Sequence, residues 1–425
     1  MSDRSGSAGR PLQLYHWSDG PIVALLFVSL ASGFGQFGVV AALGDVAKTF
    51  GNATHGTTIA EQAGLSGTVL GVGLAIIRVA SLGALPLCGL ADRFGRRTML
   101  LVTVGVGLAF TVVASASPGY WWFVALFALG RPFLTATNGL AQVAAAEETA
   151  SPDRASAVAL VVAGYGIGAG ALAILHSLAS GTLGFRGLFA LALVPLVALP
   201  VIARSLREPD RFTVARAGDT PAIPVLGAVA PRFRRRLAVV VALAFAVSVI
   251  TGPADTFVFL YAQNIVHLSG LITAAMVAGA GVTGLGGLLA GRWLADHVGR
   301  RPTGALGMVG IAVCGVVTYS GPKTLLVAGY VLGIFAGALL GPAGGALLNE
   351  LFPTSVRASV AGWWLLSGVV GAVVGLLLFG AVADIGNRFS LAADVIFLPV
   401  ALAAALFWAV PETRGREPEE LWPDL

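Results

Sequence analysis

The chain has 425 residues, of which 56% are hydrophobic and 11% charged, with a formal net charge of +5. Soluble globular proteins carry about 25% charged residues, so this composition excludes an array of two or three soluble domains and places most of the surface away from water. The basic excess does not point to nucleic acid, because 24 of the 26 basic residues are arginines gathered in short loops between apolar runs, the pattern that orients membrane proteins.

The first 20 residues are polar and lack the basic–apolar–small order of a cleaved leader, so they read as a cytoplasmic tail before a retained first span. Apolar runs follow at 21–44, 64–88, 98–117, 120–145, 156–180 and 185–204, numbered spans 1 to 6. A polar stretch rich in Arg and Pro covers 205–236. Spans 7 to 12 then come at 237–263, 270–292, 303–320, 323–348, 358–382 and 391–410, before a short cytoplasmic tail at 411–425. Each run is long enough to cross hydrocarbon as a helix. Cys88 and Cys314 lie in apolar runs far apart, which argues against a disulfide framework, and the five scattered histidines have no metal-ligand spacing. No cofactor or metal is expected.

With the N-terminus inside, the inside loops and tails carry 20 basic residues and the outside loops only Lys48, Arg186, Lys323 and Arg388. That imbalance predicts both termini in the cytoplasm and a multi-pass protein of the bacterial cytoplasmic membrane. A repeat also emerges. Asp92-Arg93-Phe94-Gly95-Arg96-Arg97 returns 204 residues later as Asp296-His297-Val298-Gly299-Arg300-Arg301, and the Glu147/Arg154 pair returns as Glu350/Arg357. Both copies occupy equivalent inside loops, after spans 2 and 8 and after spans 4 and 10. The expected fold is therefore an all-α membrane protein of twelve transmembrane helices, built as two parallel-repeat six-helix bundles (21–204 and 237–410) with 205–236 as the linker.

The loop after span 2 resembles the signature of the major facilitator superfamily, roughly G-x-L-a-D-R-x-G-R-R, here Leu90-Ala91-Asp92-Arg93-Phe94-Gly95-Arg96-Arg97. The consensus leading glycine is replaced by Cys88, and by Arg292 in the second copy. Glu350-Leu351-Phe352-Pro353-Thr354-Ser355-Val356-Arg357 and Pro411-Glu412-Thr413-Arg414-Gly415 are similar to the E-x-x-P-T-x-x-R and P-E-T-K-G motifs of the sugar porter and metabolite symporter branch. The span-7 Q-Q-x-x-G pattern of sugar porters and the span-5 proline signature of drug antiporters are both missing. This resemblance implies a proton-coupled secondary transporter that works by alternating access. It also implies gating roles for Asp92, Arg93, Gly95, Arg96, Arg97, Asp296, Gly299, Arg300 and Arg301, with Glu147, Arg154, Glu350 and Arg357 as inter-helix locks. Topogenic charge alone is the competing reading for Arg96 and Arg97.

Charges inside spans are costly and ask for a reason. Arg78 sits fourteen residues before Asp92, about 21 Å above the inner interface, and either faces the cavity or pairs with a carbonyl or carboxylate. Arg131, Asn138 and Gln142 share one face of span 4, and the resemblance gives Arg131 a role in proton coupling or helix packing. Gln36 on span 1 joins that face, because spans 1, 4, 7 and 10 line the cavity in the superfamily. On span 7, Asp255 and Tyr261 are the candidates of the other half; Asp255 is either an interfacial acid or the proton or substrate site. Two arginines within spans favour an organic anion over a neutral sugar.

The expected partners are a small solute, protons and the lipid bilayer, with no nucleic acid, and a monomer suffices. An efflux antiporter of drugs or metabolites shares the fold and stays open. A non-transporting sensor lacks its soluble domain, and an enzyme lacks any nucleophile–base set.

Overall fold

The computed structural model describes residues 15–54, 56–149, 153–208 and 229–415. The expectations for residues 1–14, 209–228 and 416–425, and for the side chains of Asp92 and Arg357, lie outside the described residues. The chain is almost wholly helical. Among the described residues eleven helices are long and apolar enough to cross a membrane: Gly20–Ala41, Gly67–Ala91, Arg96–Ala114, Ser156–Ala179, Thr182–Ser205, Pro231–Ile265, Gly270–His297, Arg300–Thr318, Lys323–Leu348, Ser359–Gly386 and Phe389–Ala409. The twelfth is span 4, the 29-residue helix Tyr120–Glu148. Its length suffices, but Arg131, Asn138, Gln142 and the closing glutamates dilute its apolar character.

Lipid-type surfaces are plain on several helices. Val282, Leu285 and Leu289 on span 8 are 71%, 65% and 68% exposed, and Val194, Val197 and Val201 form a similar stripe on span 6. Water would make such contiguous apolar faces an aggregation liability, whereas hydrocarbon accepts them.

The spans form two six-helix bundles. Each bundle has its own core at the end that carries the described chain termini, called here the terminal face. One terminal core gathers Leu25, Val28, Leu100, Leu140 and Ala144, and the other Leu243, Met308, Leu347, Phe352 and Phe407. At the opposite, distal face a single core runs through both bundles and joins Phe123, Phe127, Phe185 and Phe189 to Phe257, Phe259, Tyr319, Phe379 and Phe397. The rings meet mostly edge-to-face or tilted, as in Phe37 against Phe259 at 5.8 Å across the two bundles, a favoured arrangement for aromatic quadrupoles.

Hydrogen bonds between the bundles among the described residues share this distal bias. Asn264 of span 7 donates to the Gly44 and Ala63 carbonyls at 3.1 and 3.4 Å. Gln263 reaches Nδ1 of His176 at 3.4 Å, and His176 in turn holds Asp45 at 2.7 Å. The bundles are thus sealed to each other distally and separate towards the terminal face.

Candidate functional site

Two sets of residues need placing: the repeated loops of the terminal face and the polar groups between the bundles. In the first loop, Gly95 turns the chain from span 2 into span 3 at φ +101°, and in the second Gly299 does so at φ +136°. Only glycine adopts such angles without strain. Each turn leaves the first backbone N–H groups of the next helix without intrahelical partners, and one carboxylate collects them. Glu208 accepts from the N–H groups of Arg96 and Arg97. Glu412 accepts from those of Arg300 and Arg301 at 2.9 and 3.1 Å. The spacing 412 minus 208 is again 204, so Glu208 is the partner of the Pro411-Glu412-Thr413 motif in the other half. The repeat offset applied to Glu412 would have found it in the sequence.

The arginine side chains finish the cluster. Arg97 donates to the Leu206 and Ala203 carbonyls, and Arg301 to those of Phe407 and Trp408. Arg96 meets Glu147 at 3.4 Å, while Arg300 meets Glu350 at 3.3 Å and Asp296 at 3.1 Å. Among the described contacts, the first cluster therefore ties spans 3, 4 and 6, and the second spans 8, 9, 10 and 12, within one bundle. The expected Glu147–Arg154 lock is not seen among the described residues. Glu147 lies against Arg96, and the buried Nε of Arg154 has no hydrogen-bond partner among the described residues. Arg93 is exposed and lies over its neighbour Phe94. Partial burial works against the charge of Glu412, but the N–H groups of Arg300, Arg301, Arg414 and Thr413 outweigh it and hold its carboxyl below the ordinary 4.5.

Within the second bundle lies a cavity of about 280 Å³, lined by Thr251, Ala254 and Asp255 of span 7, Ile311, Gly315 and Thr318 of span 9, and Tyr330, Gly333, Ile334 and Gly337 of span 10. Asp255 opens onto it and makes no hydrogen bond to another described residue. Its backbone is braced by Tyr319, whose hydroxyl donates to the Ala254 and Pro253 carbonyls at 3.0 and 3.3 Å. Asp255 is within electrostatic reach of Arg78 in the other bundle, and of Tyr330 and Tyr319 in its own. Arg78 closes the first segment of span 2, just before a tight turn at Ser81–Gly83. Pro86 accounts for that break, because its ring clashes with the Leu82 carbonyl four residues back.

Arg131 is within electrostatic reach of both Arg78 and Tyr165, and its Nη1 donates to the Gln36 carbonyl at 3.1 Å. The span-4 stripe is only partly free for a solute. Gln36 is buried; its amide donates to Ser32 and to the Leu134 carbonyl, and its Oε1 accepts from Thr135. Asn138 accepts from Ser29 and, at 3.4 Å, from Gln142. These residues knit span 1 to span 4 and fix the side of the helix that carries Arg131. Tyr261 does not reach the cavity: it is buried in the distal core, donating to the Tyr319 carbonyl at 3.2 Å. Arg78 is thus within electrostatic reach of both Arg131 and Asp255, Gln36, Asn138 and Gln142 brace the span-4 side, and Tyr261 belongs to the seal. Sequence reasoning missed Tyr330 and Tyr165, which as lone tyrosines in apolar helices give no pattern to read.

Comparison with known proteins agrees with this architecture. The family model of the Major Facilitator Superfamily matches residues 25–317, and that of the sugar (and other) transporters matches 220–424. A gallate transporter of Pseudomonas putida is 28% identical over 93% of this chain and 92% of its own length. A gentisate transporter of Corynebacterium glutamicum is 26% identical over 76% of this chain and 75% of its own. Among solved structures, the inward-open xylose transporter XylE from E. coli superposes with a TM-score of 0.72 at 16% identity, covering 94% of this chain and 98% of that one. With two six-helix bundles and duplicated Gly-Arg-Arg turns, the chain is a membrane transporter, not an enzyme, and belongs to the Major Facilitator Superfamily.

Proposed function

We propose that this chain imports a small organic anion together with a proton by alternating access, and that aromatic carboxylates are its first candidates. The observation that carries the reading is Asp255 on the wall of the cavity in the second bundle, within electrostatic reach of Arg78 in the first, with glycines, isoleucines, threonines and Tyr330 lining the rest. A guanidinium near the midplane attracts a carboxylate, and glycines on two adjacent helices leave room for a flat ring. A dry cavity of ~150 Å³ accepts benzene, so 280 Å³ holds a substituted benzoate. The gallate and gentisate relatives carry solutes of this type.

Asp255 is the coupling carboxylate in this reading, and Arg131 sets the field around Arg78. When Asp255 takes a proton, its hold on Arg78 ends and the guanidinium is free for the substrate anion. The terminal face is cytoplasmic, the distal face external, and the described state is inward-facing. Glu208 and Glu412, with their arginines, are the hinges that keep each bundle's inner end rigid while the bundles rock. The working unit is one chain, since cavity and seal are complete within it.

A thermal-shift screen of the purified protein tests the substrate class. Gentisate and related hydroxybenzoates at 100 times Kd should stabilise by about 2.7 kcal/mol, and Arg78→Ala should remove the effect. Stabilisation by xylose, or by lipophilic cations irrespective of Arg78, would contradict it, the second result favouring efflux.

A further inference from the structure

The distal seal contains an arrangement that substrate binding does not explain. Span 2 begins at Gly67, and like every helix it presents first-turn N–H groups with no intrahelical partner. Its own Ser66 serves one of them, accepting from Val69. The others are served from the opposite bundle. Asp384, near the end of span 11, accepts from the Gly67 N–H at 2.7 Å, the Thr68 N–H at 2.8 Å and the Thr68 hydroxyl at 2.5 Å.

Three residues on, Asn387 does the same for a second helix. Its Oδ1 accepts from the N–H of Ile59, which opens the short helix Ile59–Ala63, at 2.7 Å. Its Nδ2 donates to the Thr57 carbonyl at 2.9 Å. Asn387 takes a left-handed backbone, φ +48°, a conformation that asparagine tolerates better than most residues, and one that ends span 11.

Helix caps normally come from the residue just before the helix. Here two caps arrive from more than 300 residues away, on the body that must swing aside when the distal face opens. The helices also touch backbone to backbone. A Cβ on Gly380 would stand 2.2 Å from the Gly67 carbonyl oxygen, and one on Gly71 would stand 2.6 Å from that of Leu376. This close approach limits the water that can replace Asp384 at its donors while the seal is shut. Charge-assisted bonds to a helix N-terminus are among the stronger ones available, and all three depend on the sealed geometry.

We propose that Asp384 and Asn387 form the latch of the distal gate, positioning residues that set how often the transporter opens on that face. The inference concerns the conformational equilibrium and holds for any substrate, so failure of the organic-anion reading leaves it standing.

The test uses the full-length protein in lipid nanodiscs, with Cys88→Ser and Cys314→Ser and spin labels at Thr49→Cys and Ser320→Cys. Both label sites are exposed on the distal side, one on each bundle. Electron–electron double resonance reads the ratio of long to short label distances without any substrate. Asp384→Ala should raise that ratio about fivefold, the change expected for losing one good helix cap. Asn387→Gly, which keeps the positive φ and removes both bonds, should raise it in the same direction. Asp394→Asn, exposed on span 12 and outside the seal, should leave it unchanged. Unchanged distances in folded Asn387→Gly overturn the proposal, and this variant decides the question if Asp384→Ala does not fold.

Discussion

The terminal-face loops and the central site obey opposite rules. At the terminal face the two halves repeat residue for residue: Gly95 and Gly299, Arg96 and Arg300, Arg97 and Arg301, Glu147 and Glu350, Glu208 and Glu412. At the centre the repeat is abandoned. The 204-residue counterpart of Arg78 is Val282, an exposed valine. The counterpart of Arg131, at the 203-residue offset of the Glu147/Glu350 pair, is Ile334 on the cavity wall. A mechanical joint is needed on both bundles, so duplication preserves it. A site that must hold an anion against a titratable acid needs different chemistry on its two sides. In the proposed reading, symmetry marks the moving parts and its loss marks the site.

The largest test of that contrast is to break the joints. Gly95→Ala and Gly299→Ala each force a left-handed or extended positive φ on a residue with a side chain, at about 1–3 kcal/mol. The new Cβ would also stand 2.8 Å from the Glu208 carboxylate or 2.7 Å from that of Glu412, which displaces the cap. Both variants should lower the melting temperature by similar amounts. A large loss in one and none in the other would mean that the two joints are not mechanically equivalent.

A smaller effect should appear in acid. The folded value of Glu412 lies below its ordinary 4.5, so its stabilisation is complete above that value and is lost as pH falls through the folded one. The melting temperature should hold from pH 7 to about 5 and decline below. Glu412→Gln should start lower and decline less. An identical acid profile in the variant would show that this carboxylate is not one of the groups behind the decline.

The fold and the joints were legible because both leave patterns. Twelve apolar runs are a length signal, and the Asp-Arg-x-Gly-Arg-Arg loop recurs at a fixed offset. Span 4 shows the limit of composition, since its polar residues were readable as a stripe but not as the ties between Ser29, Gln36 and Asn138 that the helix packing creates. Arg78 and Asp255 stood out because a charge within a span is rare. The electrostatic reach between them depends on how two bundles pack, which no local pattern encodes. Tyr261 was misplaced for the same reason: its position in span 7 resembled a cavity position, but the end of that span turns into the distal seal. Asp384 and Asn387 looked like an ordinary helix ending, because their partners lie in the other half.

In the proposed cycle Asp255 couples the proton while Arg78 binds the anion. Gentisate uptake into proteoliposomes, driven by an inward proton gradient or by counterflow from preloaded vesicles, tests it most directly. Asp255→Asn should abolish gradient-driven accumulation and leave counterflow exchange intact. Gradient-driven accumulation at the wild-type level, or loss of both modes in folded protein, would contradict the assignment.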